Sequence, residues 1–242
     1  MLNFLTNLFQ SNPKESPWRV NQCFSCGRGI SKGMVFLEDR VSFCPQCFNT
    51  TSCFSCGLPC GPVHRRLSDD RIVCEPCYKS ALITPRQLFP VYEDTIAFMR
   101  KKMKMKFKEE PHLKVVDTRF LKTHFNCSPY TWGVYVKKED AEAIYIISGI
   151  SLDKAHTTLA HELTHYWQKR NCPAKQNLVL VEGFAEWVAF QLAEYKQLRR
   201  AKLGIQRNLA EPYFTGFRKM RQMENKRGVH GVVKYVKTHN SF

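Results

Sequence analysis

The sequence predicts an α+β fold in two parts, a small cysteine-rich module followed by a larger domain of helices and a sheet. The chain has 242 residues, which is enough for one medium-sized domain and one small one. Four Cys-x2-Cys pairs fall between positions 23 and 77, and a later β-branched run leads into apolar residues at helical spacing. We therefore expect a cysteine module at 23–83, a larger domain at 84–242, and a tail or docking segment at 1–22.

The larger domain is predicted to contain a long first helix and then a small antiparallel or mixed sheet. Thr84-Pro85 marks the start of that helix, which should run to about residue 108. Pro173 ends a later helix, because proline cannot continue one. Strands are predicted at 114–118, 131–137 and 143–148, and further helices at about 154–170, at 178–198 and from 214 onwards.

The segment His-Glu-Leu-Thr-His at 161–165 carries the strongest chemical signal in the chain. Histidines four residues apart project from one helix face, so His161 and His165 can bind one metal ion. Glu162 lies between them, where it can hold an attacking water. Glu182, on the next predicted helix, is the best candidate for the third ligand, which leaves one coordination position open. The pattern predicts a zincin-like peptidase domain of the glutamate type; an exposed helix that merely carries a histidine pair is the alternative.

Three more side chains are candidates for supporting roles at this metal ion. Glu186 lies four residues after Glu182, so it can accept the N–H of a liganding histidine and set its tautomer. A solvated helix charge is the alternative for Glu186. Peptide hydrolysis also needs a donor to the oxyanion, for which Tyr213 is the first candidate and His230 the second. A core or surface role is the alternative for both.

The cysteines ahead of this domain form an internal duplication. Two Cys-x2-Cys pairs separated by 17 residues are followed, after an offset of 30 residues, by two more pairs at the same separation. Eight thiolates at this spacing suit two tetrahedral sites, so we expect two structural zinc ions besides the catalytic one. Equal repeats favour sequential sites; a cross-braced pairing and disulfides are the alternatives. The eight cysteines are Cys23, Cys26, Cys44, Cys47, Cys53, Cys56, Cys74 and Cys77.

The net charge of +16 favours an acidic partner, either a protein surface or nucleic acid. Basic residues are spread along the chain and aromatic residues do not interleave with them, so nucleic acid is the less favoured partner. An odd number of cysteines, metal-type spacing and the lack of a secretory segment together predict a reducing compartment, the cytoplasm. No transmembrane segment is predicted.

The chain resembles the LIM-domain-linked, ubiquitin-activated zinc peptidases of plant organ-size control, the DA-one type peptidases, and their bacterial relatives. The resemblance implies a LIM-like zinc module fused to a gluzincin domain, and limited cleavage of protein substrates. It also implies the two motif histidines and Glu182 as metal ligands, with Glu162 as the base. The likeness runs from about 23 to 236 and is carried by the second cysteine repeat and by the residues at 132–136, 146–150, 159–167, 181–183, 213 and 216–218.

Three of the features of this chain differ from that family. Cys44 stands where a LIM domain usually has histidine, and five residues rather than two separate the two zinc sites. The sequence ahead of Cys23 contains no ubiquitin-interacting segment. Ubiquitin is therefore carried over only as a candidate partner.

Two functions from different classes follow from these patterns. The first is a zinc-dependent endopeptidase that cleaves intracellular proteins, with the cysteine module recognising the substrate or a partner. The second is a zinc-knuckle protein that binds protein or nucleic acid and carries an inactive peptidase-like domain. The intact Glu162 favours the enzyme, because an idle site has no need of that base.

Overall fold

The computed structural model describes residues 22–30, 34–36, 41–138 and 141–242. The tail or docking segment predicted for 1–22 lies outside the described residues, apart from Gln22. Within those ranges the chain is a mixed α+β protein with small sheets and eight helices, as the sequence predicts. No helix in these ranges is both long and apolar enough to cross a membrane.

The cysteine-rich part consists of two halves with the same order of elements. The two strands of each half pair antiparallel, and each half ends in a short helix with proline in its first turn. The sequence repeat is therefore also a structural repeat. The first half contains β1 (Met34–Phe36), β2 (Val41–Phe43) and α1 (Pro45–Phe48); the second contains β3 (His64–Arg66), β4 (Ile72–Cys74) and α2 (Glu75–Lys79), and β5 (Ala81–Leu82) follows.

The first helix of the larger part, α3 (Pro85–Lys101), is shorter than predicted. Its start agrees with the prediction, since Thr84 closes a capping box there. Its predicted end at about residue 108 is wrong. Met103 and Met105 are both buried, whereas residues two apart on a helix project about 200° apart and cannot both face the core. Lys104 lies between them with φ 56°, so the chain has left the helix at this point.

A three-stranded mixed sheet forms one side of the larger part. It consists of β6 (His112–Val116), β7 (Gly133–Lys138) and β8 (Ala141–Ile147) in the order β6-β8-β7. Strand β6 is parallel and β7 antiparallel to β8, so β7 is an edge strand. The three predicted strands are confirmed. A helix between β6 and β7, α4 (Thr118–Phe125), was not predicted, although its N-cap Asp117 is a signal that the sequence offers.

Four helices complete the fold after the short strand β9 (Ile150–Ser151), which pairs with β5. Helix α6 is central, because its apolar residues cover most of its circumference and Phe184 and Trp187 are fully buried. Helices α5 and α6 agree with the predictions to within three residues at each end, whereas α7 was not predicted. The four are α5 (Leu152–Asn171), α6 (Leu178–Tyr195), α7 (Arg199–Gln206) and α8 (Tyr213–Val236).

The second half of the cysteine-rich part packs directly on the larger part. The Ser55 hydroxyl lies 2.7 Å from the Ser151 hydroxyl and accepts a hydrogen bond from the Ser151 backbone N–H at 3.0 Å. Nearby, the Trp132 indole N–H donates to the backbone oxygen of Phe54 at 2.8 Å. Because these polar contacts are made at buried or half-buried positions, the two parts share an ordered interface.

Candidate metal centre and cleft

Three ligand-type atoms converge where α5 faces α6. The Nε2 atoms of His161 and His165 lie 3.3 Å and 3.4 Å from Oε2 of Glu182. The histidines are one helical turn apart on α5, and Glu182 lies in the second turn of α6. That helix begins at Asn177, whose side chain accepts a hydrogen bond from the Leu180 N–H and so fixes where the glutamate emerges. The three candidate ligands thus lie within reach of one ion.

The charge distribution at this place suits a cation. Oε2 of Glu182 is buried and has no hydrogen-bond partner among the described residues, although both imidazoles face it. Burial alone would lower the pKa of His161, but the carboxylates of Glu182 and Glu186 raise it to about 10. Burial raises the pKa of Glu182, yet His161 and His165 hold it well below its usual range. Atoms that attract a proton this strongly also suit Zn²⁺, which binds imidazole nitrogen and carboxylate oxygen.

The outer ring nitrogens of both histidines also have partners. Nδ1 of His161 lies 3.3 Å from Oε2 of Glu186, which is the position that the sequence analysis expects for this glutamate. Nδ1 of His165 lies 3.1 Å from Oε1 of Gln168. With an ion bound, a proton on each Nδ1 would leave the lone pair of each Nε2 for the ion. Glu186 is held in turn by Asn208, whose Nδ2 donates to Oε1 at 3.4 Å.

Gln168 is a site residue that the sequence analysis missed. While its oxygen faces His165, its Nε2 donates to the backbone oxygen of Val181 at 3.1 Å. One side chain therefore connects the second histidine to the helix that carries Glu182. The sequence does offer one indication of this role: Gln168 follows His165 by three residues, so the two side chains share a helix face.

Glu162 lies on the wall of the cleft beside the histidines and is 8% exposed. Its Oε2 accepts a hydrogen bond from the backbone N–H of Tyr135, on the edge strand β7, at 2.8 Å. The strand comes this close because residue 133 is glycine: a Cβ on Gly133 would lie 2.8 Å from the Thr158 side chain of α5. The sheet edge thereby sets the orientation of the carboxylate.

Tyr213, at the start of α8, lies beside the three candidate ligands. Its ring centre is 5.9 Å from that of His161. Burial, together with nearby carboxylates such as Glu182, raises the pKa of Tyr213 to about 12, so the phenol keeps its proton at neutral pH. His230 lies elsewhere: it is exposed, its Nε2 is 3.2 Å from the Lys102 carbonyl oxygen, and it takes no part in lining the cleft. Of the two predicted oxyanion donors, only the tyrosine is near the site.

Two glycines bring α8 to this position. A Cβ on Gly183 of α6 would lie 2.4 Å from the backbone of Gly216, and a Cβ on Gly216 would lie 2.3 Å from the backbone oxygen of Val179. Real side chains do not approach backbone this closely, so α6 and α8 cross in direct backbone contact. The crossing carries Tyr213, one turn before Gly216, over the first histidine.

A cavity of ≈ 560 Å³ opens beside His161 and Glu162. Its wall includes Gly57 from the second cysteine half, Trp132 from the segment before β7, and Thr158 from α5. Volumes of this order hold small ligands or a few peptide side chains. The cysteine-rich part therefore forms one side of the cleft that His161 also lines.

Lys154, in the first turn of α5, is a second site residue that the sequence analysis missed. It is partly buried in the cavity wall, and its Nζ lies 3.3 Å from the centre of the Trp132 ring. Burial lowers the pKa of Lys154 to about 8, while Glu186 and thiolates of the second cysteine group act to raise it. The cavity thus contains a cation that rests on an aromatic face.

The eight module cysteines form two separate groups of four. The Sγ atoms of each group lie within 4.8 Å of one another, with Cys26 to Cys44 at 4.0 Å and Cys56 to Cys74 at 3.9 Å. A tetrahedral site with Zn–S bonds of about 2.3 Å has sulfur atoms about 3.8 Å apart. All the cysteines are free, so the disulfide alternative is wrong. The pairing is sequential and not cross-braced, and each group could hold a structural zinc ion. The first group is Cys23, Cys26, Cys44 and Cys47. The second group is Cys53, Cys56, Cys74 and Cys77.

Helix α7 covers the second cysteine group. A Cβ on Gly204 would lie 2.6 Å from the backbone oxygen of Cys56, so only glycine allows this approach. Arg200, one turn earlier, has Nη1 3.8 Å from Sγ of Cys74. Four thiolates around Zn²⁺ carry a net negative charge, which a nearby guanidinium partly offsets.

No protein-family model matches this chain, and no solved structure matches it significantly.

Proposed function

We propose that the protein is a zinc-dependent endopeptidase with a glutamate-type zincin domain that acts on protein substrates. The observation that carries the proposal is the convergence of two Nε2 atoms and one carboxylate oxygen, with Glu162 beside them on the wall of a cavity. Three protein ligands are typical of catalytic zinc sites, and an adjacent glutamate is the base in metalloproteases with this histidine spacing. The resemblance to the DA-one type peptidases, which is carried in part by the same residues, leads to the same proposal.

His161, His165 and Glu182 would hold the ion, and Glu186 and Gln168 would orient the two imidazoles. When bound, zinc supplies a Lewis acid and lowers the pKa of a coordinated water towards about 7. Glu162 takes the proton of the attacking water and later delivers it to the leaving amine, and the Tyr135 N–H keeps its carboxylate in position for both transfers.

Tyr213 supplies the donor for the oxyanion. Its phenol is protonated at neutral pH, and it lies next to the first histidine, on the side of the cleft formed by α8. A neutral donor that is already in place stabilises charge in the transition state without any reorganisation.

The two cysteine groups serve as structural zinc sites, and the module that they fold recognises substrate or a partner. Eight zinc thiolates persist best where thiols stay reduced, so we propose a cytoplasmic protein. The charge of +16 suits an acidic protein partner, with ubiquitin as one candidate.

The test compares the wild type with Glu162→Gln on a proteome extract, with new N-termini read by mass spectrometry. The variant keeps the size of the side chain but loses the base, so cleavage should fall by about 100- to 10,000-fold. Zinc should remain at three ions per chain in both proteins, measured by plasma emission spectrometry. Equal cleavage by both proteins contradicts the mechanism. Two zinc ions and no cleavage in the wild type would support the alternative of a binding protein with an inactive domain.

A further inference from the structure

We propose that the part of the cavity formed by the first turns of α5 is a subsite for an acidic substrate side chain, with Lys154 as the cation that binds it. The inference rests on the proposed peptidase function and names a feature of its substrate. The acidic side chain belongs to a substrate residue next to the scissile bond. It can lie on either side of that bond.

The position of Lys154 relative to the metal centre supports this assignment. Lys154, Thr158 and His161 recur at intervals of four and three residues, so they follow one face of α5, and all three line the cavity. At 1.5 Å per residue, Lys154 lies about 10 Å along the helix from His161. A substrate side chain that enters beside the metal centre therefore meets Thr158 first and the lysine next. That separation fits one glutamate or aspartate side chain reaching towards a lysine.

The surroundings of Lys154 leave its positive charge available to bind a carboxylate of the substrate. Among the described residues Lys154 forms no ion pair, and its Nζ instead rests on the Trp132 ring at 3.3 Å. That ring is fixed in turn by its hydrogen bond to Phe54. Glu186, the nearest acidic group on α6, is already engaged by His161 and Asn208. A partly desolvated ammonium with no direct partner gains most from a carboxylate brought by a ligand.

Two other groups of the lining add to this preference. The Oγ1 atom of Thr158 is buried and has no hydrogen-bond partner among the residues that the structure describes. A carboxylate oxygen at this place would accept a hydrogen bond from that hydroxyl. Arg207, from the end of α7, is a second cation in the same wall. Both groups favour an acidic side chain over an apolar one of similar length.

A purely structural role for Lys154 predicts different behaviour. The lysine also feels the thiolates of the second cysteine group, so its charge could serve only to offset theirs. In that case its removal would weaken zinc binding at Cys53, Cys56, Cys74 and Cys77 but would leave the choice of substrate unchanged.

The experiment first reads the cleavage sites of the wild type in a proteome-derived peptide library at pH 7. Glutamate or aspartate should be enriched at one position next to the scissile bond. Synthetic peptide pairs that differ only by glutamate or glutamine at that position then give two values of kcat/KM. We expect a preference for glutamate of about 10- to 100-fold, as a charge-assisted hydrogen bond provides.

Three variants complete the test. Lys154→Met should abolish the preference, and Lys154→Arg should retain most of it. Lys169→Met, which removes an exposed lysine from the same helix, is the matched control and should behave like the wild type. Zinc content is measured for every variant.

The outcomes separate the two proposals. If the wild type cleaves no peptide, both the proposed function and the subsite are contradicted. If the wild type cleaves peptides without favouring acidic residues, only the subsite is contradicted. This result needs no variant, so it holds even if the variants do not fold. A preference that survives in Lys154→Met, with or without loss of zinc from the cysteine group, likewise overturns the subsite.

Discussion

Glu186 on α6 lies 3.3 Å from Nδ1 of His161 on α5, on the side of the ring away from Glu182. The imidazole is therefore held between two carboxylates, one at each nitrogen. Such a partner fixes the ring orientation and makes the liganding nitrogen more basic. A change at residue 186 should act on the metal ion through His161 alone.

We expect Glu186→Gln to weaken zinc binding at this centre by about 10- to 100-fold, because the amide no longer carries the charge that polarises His161. Competition with a chelator that leaves the cysteine-bound zinc in place measures the change. Glu194→Gln, the same substitution at an exposed position of α6, is the control. Equal affinities in both variants would contradict the role given to Glu186.

Tyr213→Phe should lower kcat by about 100- to 1,000-fold with little change in KM, because it removes one donor to the oxyanion and no ground-state contact. Steady-state kinetics on a cleaved peptide provide the measurement. Tyr195→Phe, at a tyrosine that is 55% exposed, should have no effect. A change confined to KM would instead indicate that Tyr213 only binds substrate.

Gly216→Ala should destabilise the protein by about 1–3 kcal/mol, because the new methyl group would lie 2.3 Å from the Val179 backbone oxygen and force α6 and α8 apart. Urea unfolding of the zinc-loaded protein gives the free energy. Activity should fall as well, since Tyr213 would move away from the metal centre. Unchanged stability would mean that the two helices are not in backbone contact.

Zinc binding at the metal centre should become tighter as pH rises. In the metal-free protein the raised pKa of His161, about 10, means that the ring is protonated at neutral pH and must lose that proton to bind metal. Stabilisation from its ion pairs with Glu182 and Glu186 is complete below pH 6.5 and is lost as pH rises through about 10.

The apparent affinity for zinc should therefore increase by about tenfold per pH unit between pH 7 and 9. Titration calorimetry in buffers of different ionisation enthalpy should show about one proton released per ion at pH 7. An ordinary histidine would release much less than one, since its pKa is about 6.5. Release of a small fraction of a proton would contradict the raised pKa.

Loss of the second cysteine site should impair the peptidase more than loss of the first. Cys77→Ser disturbs the half that contacts Trp132 and Ser151 and lines the cavity, whereas Cys26→Ser disturbs the half beyond it. We expect cleavage of a short peptide to fall further in Cys77→Ser, and the unfolding temperature of the whole chain to fall with it. Equal kinetics in the two variants would show that the cleft does not depend on the module.

The sequence alone identified the residues whose chemistry depends on short spacing. Local backbone geometry fixes the histidines four positions apart on α5, the glutamates four positions apart on α6 and the cysteines three positions apart in each pair. Their grouping therefore follows from the helix and turn periods. The same reasoning located α5, α6 and the three strands, because their apolar patterns are strong.

Tertiary structure decided everything that depends on elements distant in the chain. The crossing at Gly183 and Gly216 selects Tyr213 over His230, and the packing of Met103 and Met105 ends α3 at Lys101. The grouping of cysteines into sequential sites also arises from contacts between distant segments, and so does the cavity that joins Lys154 to the second cysteine half. Such contacts depend on how surfaces fit together, and no periodicity in one sequence encodes that fit.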